Sequence, residues 1–196
     1  MGAEVWPHPT GLLQEFGLID YSMVPRDRLE YKRVLGMAVD LACNYLDNCN
    51  LDKSSLDKRI VPYVEAYEKF CRVTGFEVDP DRSQKPLSSR KWRFCGTNDM
   101  IGLLNDELVL VDRKCTWTVY AAAGPQLAAY QLLAEENYGI KIRRRFALQL
   151  KETGNYDLVE FKEKSDFVDF QACLYLHWQR VQKYKNQGEE YADPRT

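Results

Sequence analysis

Histidine is scarce in this 196-residue sequence: there are two, His8 and His177, and they do not have the spacing of metal ligands. Six cysteines occur, at Cys43, Cys49, Cys71, Cys95, Cys115 and Cys173, with no C-x-x-C pair among them. A zinc ribbon or a dithiol redox motif needs such close pairs. The cysteines are therefore expected as small buried apolar residues in a reducing compartment. No apolar run approaches the ~18–20 residues that cross a bilayer, and no charged-then-apolar leader precedes a cleavage site. These absences point to an intracellular protein with no membrane partner. Neither sign of charge dominates, since 27 Lys and Arg face 29 Asp and Glu for a formal charge of −2. That excludes a strongly basic, histone-like chain, yet a local basic groove for nucleic acid is still allowed. There is no P-loop, no G-x-G-x-x-G, no Ser–His–Asp order, no internal repeat and no low-complexity stretch.

The chain is 45% hydrophobic and 29% charged, the balance of a packed globular protein rather than a disordered one. Its length suits one domain spanning 1–196. A helical part covers about 1–75, a core about 76–187, and a polar tail 188–196. A chain of this size buries enough surface to fold without disulfides or a structural metal.

Periodicity predicts a short helix over 12–16 and a long one over 28–48. Another runs over 57–74, with Pro62 in its first turn and Gly75 at its C-cap. The period then changes. Segments 92–104 and 107–115 are rich in β-formers and flank Asn105-Asp106, which reads as a hairpin. The continuous run Leu108-Val109-Leu110-Val111 suggests a central strand covered on both faces. A helix over 121–137, a strand pair over 140–150 and 156–161, and a last helix over 166–184 complete the order. The fold class is α/β, a mixed central β-sheet flanked by helices.

Residues i and i+2 of a strand share a face, so Asp112 and Lys114 project together. Asp99 and Asp112 are equidistant from the hairpin turn and fall opposite each other. Two carboxylates and an amine then converge. With a main-chain carbonyl they suit Mg²⁺ or Mn²⁺, which polarises a phosphodiester and activates a water. Lys114 would orient that water or stabilise developing charge; a strand-end ion pair is the simpler alternative. Gln126 and Tyr130 lie at i and i+4 on one helix face. Arg90, Lys91 and Arg93 interleave with Trp92 and Phe94, a pattern that can track a DNA backbone or merely alternate along a strand. Arg143-Arg144-Arg145 offers either a phosphate clamp or a solvated strand end.

Taken together, these pieces resemble the PD-(D/E)XK nuclease superfamily, most nearly its RecB-like branch of phage and bacterial exonucleases. The resemblance covers most of the chain. It runs through Thr10-Gly11-Leu12-Leu13, Gly17-Leu18-Ile19-Asp20-Tyr21, Gly36 and Pro62-Tyr63-Val64-Glu65-Ala66-Tyr67. Its core motifs are Gly96-Thr97-Asn98-Asp99, Asp112-Arg113-Lys114 and the Q-x-x-x-Y of Gln126 to Tyr130. The resemblance implies a restriction-endonuclease-like core and a Mg²⁺- or Mn²⁺-dependent deoxyribonuclease. Asp99, Asp112 and the Arg113 carbonyl would be metal ligands, and Lys114 the catalytic lysine. Gln126 and Tyr130 would support the site and the DNA strand, with Gln84, Arg90, Lys91 and Arg93 as further supporting or DNA-contacting residues. DNA ends would be the substrate in phage recombination or end-processing, in the cytoplasm of a bacterium or a phage-infected host. A single-strand annealing protein would be a partner, and oligomers occur among relatives. Two positions depart from the pattern. Asp40 stands where a histidine is usual, and can still ligate a hard cation; Gln84 stands where a glutamate is usual. These departures support a second reading, a DNA-binding protein on the nuclease fold with reduced or lost catalysis. An inhibitory or structural protein reusing the fold is a third. An iron–sulfur cluster is not expected, because only Cys173 follows the Gln126 helix.

Overall fold

The structure, a computed structural model, describes residues 5–187; the polar tail expected from Gly188 lies outside the described residues. The helices are α1 (Pro9–Glu15), α2 (Arg26–Asp47), α3 (Val61–Thr74), α4 (Ala123–Tyr138) and α5 (Ser165–Asn186). The strands are β1 (Glu77–Val78), β2 (Pro86–Ser89), β3 (Phe94–Thr97), β4 (Met100–Leu104), β5 (Glu107–Lys114), β6 (Arg144–Leu150) and β7 (Tyr156–Phe161). One sheet runs β1-β4-β5-β6-β7, and β2 and β3 form a separate hairpin. Among the described residues only β5 and β6 pair in parallel; the other neighbours are antiparallel. A parallel pair needs a long crossover, and α4 supplies it. The fold is thus α/β with a mixed sheet between helices.

The position of β5 follows from its apolar run. Val109 and Val111 pack into the layer built by α2 and α3. Leu110 packs on the opposite face, against α1, α4 and α5. The β4–β5 turn is set by Asn105 and Asp106, at φ 51° and 60°. Two left-handed residues make the primed turn whose twist matches antiparallel strands. Its register pairs Leu104 with Glu107 and Met100 with Val111, and one step further places Asp99 opposite Asp112. Helix α3 carries Pro62 in its first turn and ends on Gly75 at φ 67°. Glycine enters that region without the Cβ clash.

Three expectations are corrected. The strand expected over 92–104 is two strands, β3 and β4, with Asn98 and Asp99 in a bend between them. The chain leaves the main sheet there because Asn98 is buried and tied locally: its Nδ2 donates to the Arg82 carbonyl at 3.1 Å, and its own carbonyl accepts from Gln84 N at 3.1 Å. The strand expected from Ile140 begins at Arg144. Asp112 lies near the end of β5, as its sequence position suggests, but it is buried at 3% exposure rather than in a solvated strand-end pair.

Candidate active site

The site forms where the β3–β4 bend, the end of β5 and the first turns of α4 meet. Gly96 permits the approach. A Cβ there would lie 3.0 Å from the Tyr130 ring and 3.3 Å from Leu133 and Pro9, so any larger residue would press β3 against α4 and make those side chains give way. Asp99 Oδ2 accepts the Arg113 main-chain N–H at 2.8 Å, which joins the bend to β5. Lys114 Nζ stands 2.6 Å from Asp112 Oδ2 and donates to Gln126 Oε1 at 2.9 Å. Gln126 Nε2 in turn donates to Thr10 Oγ1 at 2.9 Å and to the Tyr130 hydroxyl at 3.3 Å. Asp99, Asp112, Lys114, Gln126 and Tyr130 are therefore brought together.

Arg113 points the other way, as strand alternation requires. Its side chain is 2% exposed. Nε donates to Asp40 Oδ1 at 2.8 Å, one terminal nitrogen donates to Asn44 Oδ1 at 2.5 Å, and the other lies 3.5 Å from Asp47 Oδ2. Its guanidinium sits 5.2 Å from the centre of the Tyr67 ring, and the Tyr67 hydroxyl donates to Asp47 at 2.6 Å. Gln84, in the left-handed region at φ 56°, donates Nε2 to Asp40 Oδ2 at 3.3 Å. Both Asp40 oxygens are thus engaged by side chains.

The electrostatics follow from this crowding. Burial, then the nearby Asp112 and Asp40, push the Asp99 carboxyl well above the usual carboxylate range, against the pull of Arg113 and Lys114. Burial opposes the charge on Lys114, but Asp112 and Asp99 outweigh it and raise the ammonium above its ordinary value. Burial, with Asp112 and Asp99 adding to it, pushes the Tyr130 phenol up to about 12.

The donor set suits a hard cation. Asp99 and Asp112 are carboxylates, and the main-chain carbonyl of Arg113, the residue between Asp112 and Lys114, is a further hard oxygen. Asp112 Oδ2 faces Lys114 Nζ at 2.6 Å, and a carboxylate keeps further lone pairs beyond one such partner for a cation. Among the described residues no three His, Cys, Asp or Glu side chains are grouped as a cage that could hold a metal ion. Mg²⁺ rarely asks for one, since it binds through one or two carboxylates and keeps several waters.

Other candidates lie elsewhere or are occupied. Arg90, Lys91 and Arg93 are exposed in the β2–β3 turn, at the end of the hairpin away from Thr97 and Asp99. Lys91 lies over Trp92, and the Arg93 guanidinium stacks on Trp178 at 3.9 Å. Arg144 pairs with Glu160 at 2.7 Å and the buried Arg145 with Asp166 at 3.0 Å, so these two arginines hold β6 to its neighbours, while Arg143 is exposed just before the strand. His177 is buried and meets Glu15 at 2.8 Å, linking α5 to α1. All six cysteines are free. Sequence reasoning gave no site role to Thr10, Asn44, Asp47 or Tyr67, although Thr10 and Tyr67 fall within the motifs of the resemblance. For two of them a signal existed, because Asp40, Asn44 and Asp47 recur at i, i+4 and i+7 on one face of α2.

No protein-family model and no curated protein matches the chain. Solved structures do. A crystal structure named "Putative exonuclease", from Eubacterium rectale, shares 12% identity, with 94% of this chain and 83% of that one covered at a TM-score of 0.57. An alkaline exonuclease from Laribacter hongkongensis shares 12% identity over 93% of this chain and 94% of its own, at a TM-score of 0.42. The first likeness supports the fold described above.

Proposed function

We propose that the chain is a Mg²⁺- or Mn²⁺-dependent deoxyribonuclease acting on DNA ends. The observation that carries this reading is the Asp112–Lys114 pair at 2.6 Å, set across the hairpin from Asp99 and fixed by Gln126. The exonuclease name of the similarly folded Eubacterium rectale protein supports it. Asp99, Asp112 and the Arg113 carbonyl would hold the cation. When bound, Mg²⁺ or Mn²⁺ supplies Lewis acidity toward the phosphodiester. Lys114 keeps its proton at neutral pH and offers a fixed positive charge where negative charge develops on phosphate oxygens. Gln126 holds the Lys114 ammonium on the Asp112 side, and Thr10 and Tyr130 hold Gln126. The Arg113 N–H orients the Asp99 carboxylate. The setting we propose is DNA end-processing, as in phage recombination.

A second reading, DNA binding with reduced catalysis, draws on one observation. Asp40 is engaged by Arg113 and Gln84, so it is withheld from a cation. Digestion of an end-labelled DNA with Mg²⁺ or Mn²⁺ separates the readings. Wild type should cleave, while Asp112→Asn and Lys114→Ala should fall by at least about a hundredfold, with circular dichroism unchanged. Variants that digest at the wild-type rate would remove the site assignment. A wild type inert with both metals would favour the second reading.

A further inference from the structure

A cavity of about 400 Å³ opens beside the site, with Lys114 and Gln126 on its wall. Trp117, Tyr120, Arg28 and Lys32 also line it. Trp117 and Tyr120 are 69% and 65% exposed. Both belong to the segment between β5 and α4, whose base is anchored: Thr116 Oγ1 donates to the Thr118 carbonyl at 2.8 Å, and Gln149 Nε2 donates to the Thr116 carbonyl at 2.6 Å. Lys32 Nζ stands 5.8 Å from the centre of the Trp117 ring. The acidic residue of the lining, Asp20, accepts the Ser22 N–H at 2.8 Å.

We propose that this cavity receives the unpaired terminal base of a DNA strand, which makes the substrate a single-stranded or frayed end. The inference rests on the nuclease reading of the neighbouring site and specifies what that site takes. Exposed aromatic rings provide a stacking surface for any base, since every base has a π-face. Arg28 and Lys32 provide cations for the phosphates on either side of it. The wall shared with Lys114 and Gln126 puts the next phosphodiester beside Asp112. Cavities of a few hundred Å³ hold one drug-sized molecule. A single nucleotide has that size; a base pair with two backbones does not. The cavity therefore fits one unpaired nucleotide better than a base pair.

The test uses fluorescence anisotropy in EDTA, so that hydrolysis does not intervene, with a labelled oligothymidine and a labelled blunt duplex of equal length. The oligothymidine should bind more tightly than the duplex. Trp117→Ala and Tyr120→Ala should each weaken its binding about tenfold, and Trp117→Phe should recover most of the loss. Melting curves should be unchanged, because both rings project into solvent. Equal weakening on the two probes, or none on either, overturns the inference. The outcome is separable from the nuclease reading. If oligothymidine binding depends on Trp117 but no metal supports cleavage, the cavity assignment stands and the nuclease reading fails. If cleavage depends on Asp112 while Trp117→Ala binds oligothymidine as wild type does, the cavity assignment alone fails.

Discussion

Arg113 Nε lies 2.8 Å from Asp40 Oδ1, joining two residues 73 positions apart in sequence. The contact ties α2 to the sheet directly behind the candidate metal site. It uses the side chain of a residue whose main chain already contacts Asp99. One residue therefore connects the helical layer, the central strand and the carboxylate cluster.

Arg113→Met should be strongly destabilising. It would strand Asp40 and Asp47 beside an apolar side chain, and breaking a buried ion pair from one side costs about 3–5 kcal/mol. Urea unfolding monitored by circular dichroism measures it. Arg113→Lys should recover only part of the loss, because an ammonium cannot serve Asp40 and Asn44 through one planar fork. A loss below about 1 kcal/mol in the Met variant would show the network to be dispensable.

Gln84→Glu should make stability depend on metal. The amide now donates to Asp40 at 3.3 Å; a carboxylate in its place meets Asp40 with like charge and loses the donor. The variant should melt lower than wild type in EDTA, and excess Mn²⁺ should restore it by linkage. The added anionic oxygen should also lower the Mn²⁺ concentration needed for half-maximal DNA digestion. Melts and titrations identical to wild type would place Gln84 outside the reach of the cation.

The Arg144–Glu160 pair predicts an acid-sensitive contribution to stability. Its hydrogen bonds to Arg144 hold the Glu160 carboxyl down at about 2, against about 4.3 in an unfolded chain. A depressed folded value means the stabilisation is complete above about pH 4.5 and is lost as pH falls toward about 2. Glu160→Gln should therefore flatten the dependence of melting temperature on pH across that window and leave the slope above pH 6 alone. An unaltered acid limb would show the pair to be too solvated to contribute.

Gly102→Ala should destabilise without touching the site. A Cβ at Gly102 would fall 2.2 Å from the Glu77 carbonyl oxygen and 2.8 Å from the Phe76 ring, where β1 crosses close to β4. Overpacking of this kind costs about 1–3 kcal/mol. Thermal unfolding checks it, and a melting temperature equal to wild type would mean that β1 can move aside freely.

The hairpin, its register and the meeting of Asp99 with Asp112 were legible because turn chemistry and strand period are local. The Asn105-Asp106 pair announces the turn, and counting outward does the rest. Helix α4 was legible for a similar reason. Strands β1 and β2 were not, being two and four residues long and, in β2, beginning with proline. The bend at Asn98-Asp99 was hidden because alternation continues through it. Arginine runs mislead in a single sequence: Arg144 and Arg145 look like a basic patch until Glu160 and Asp166, on β7 and α5, are seen to take them. The exposure of Trp117 and Tyr120 was illegible for the opposite reason, since large aromatics are ordinarily expected inside.

The bond from Gln126 to Thr10 spans 116 residues, and the one from Arg113 to Asp40 spans 73. Contacts of such separation close large loops, and their entropy must be met before the contacts form. The pocket that orients Lys114 can therefore exist only after both helical layers have docked on the sheet. During refolding, far-ultraviolet ellipticity should recover before any cleaving activity appears. A nascent chain still emerging from the ribosome, with Gln126 unsynthesised, would leave Lys114 without one of its two holding contacts.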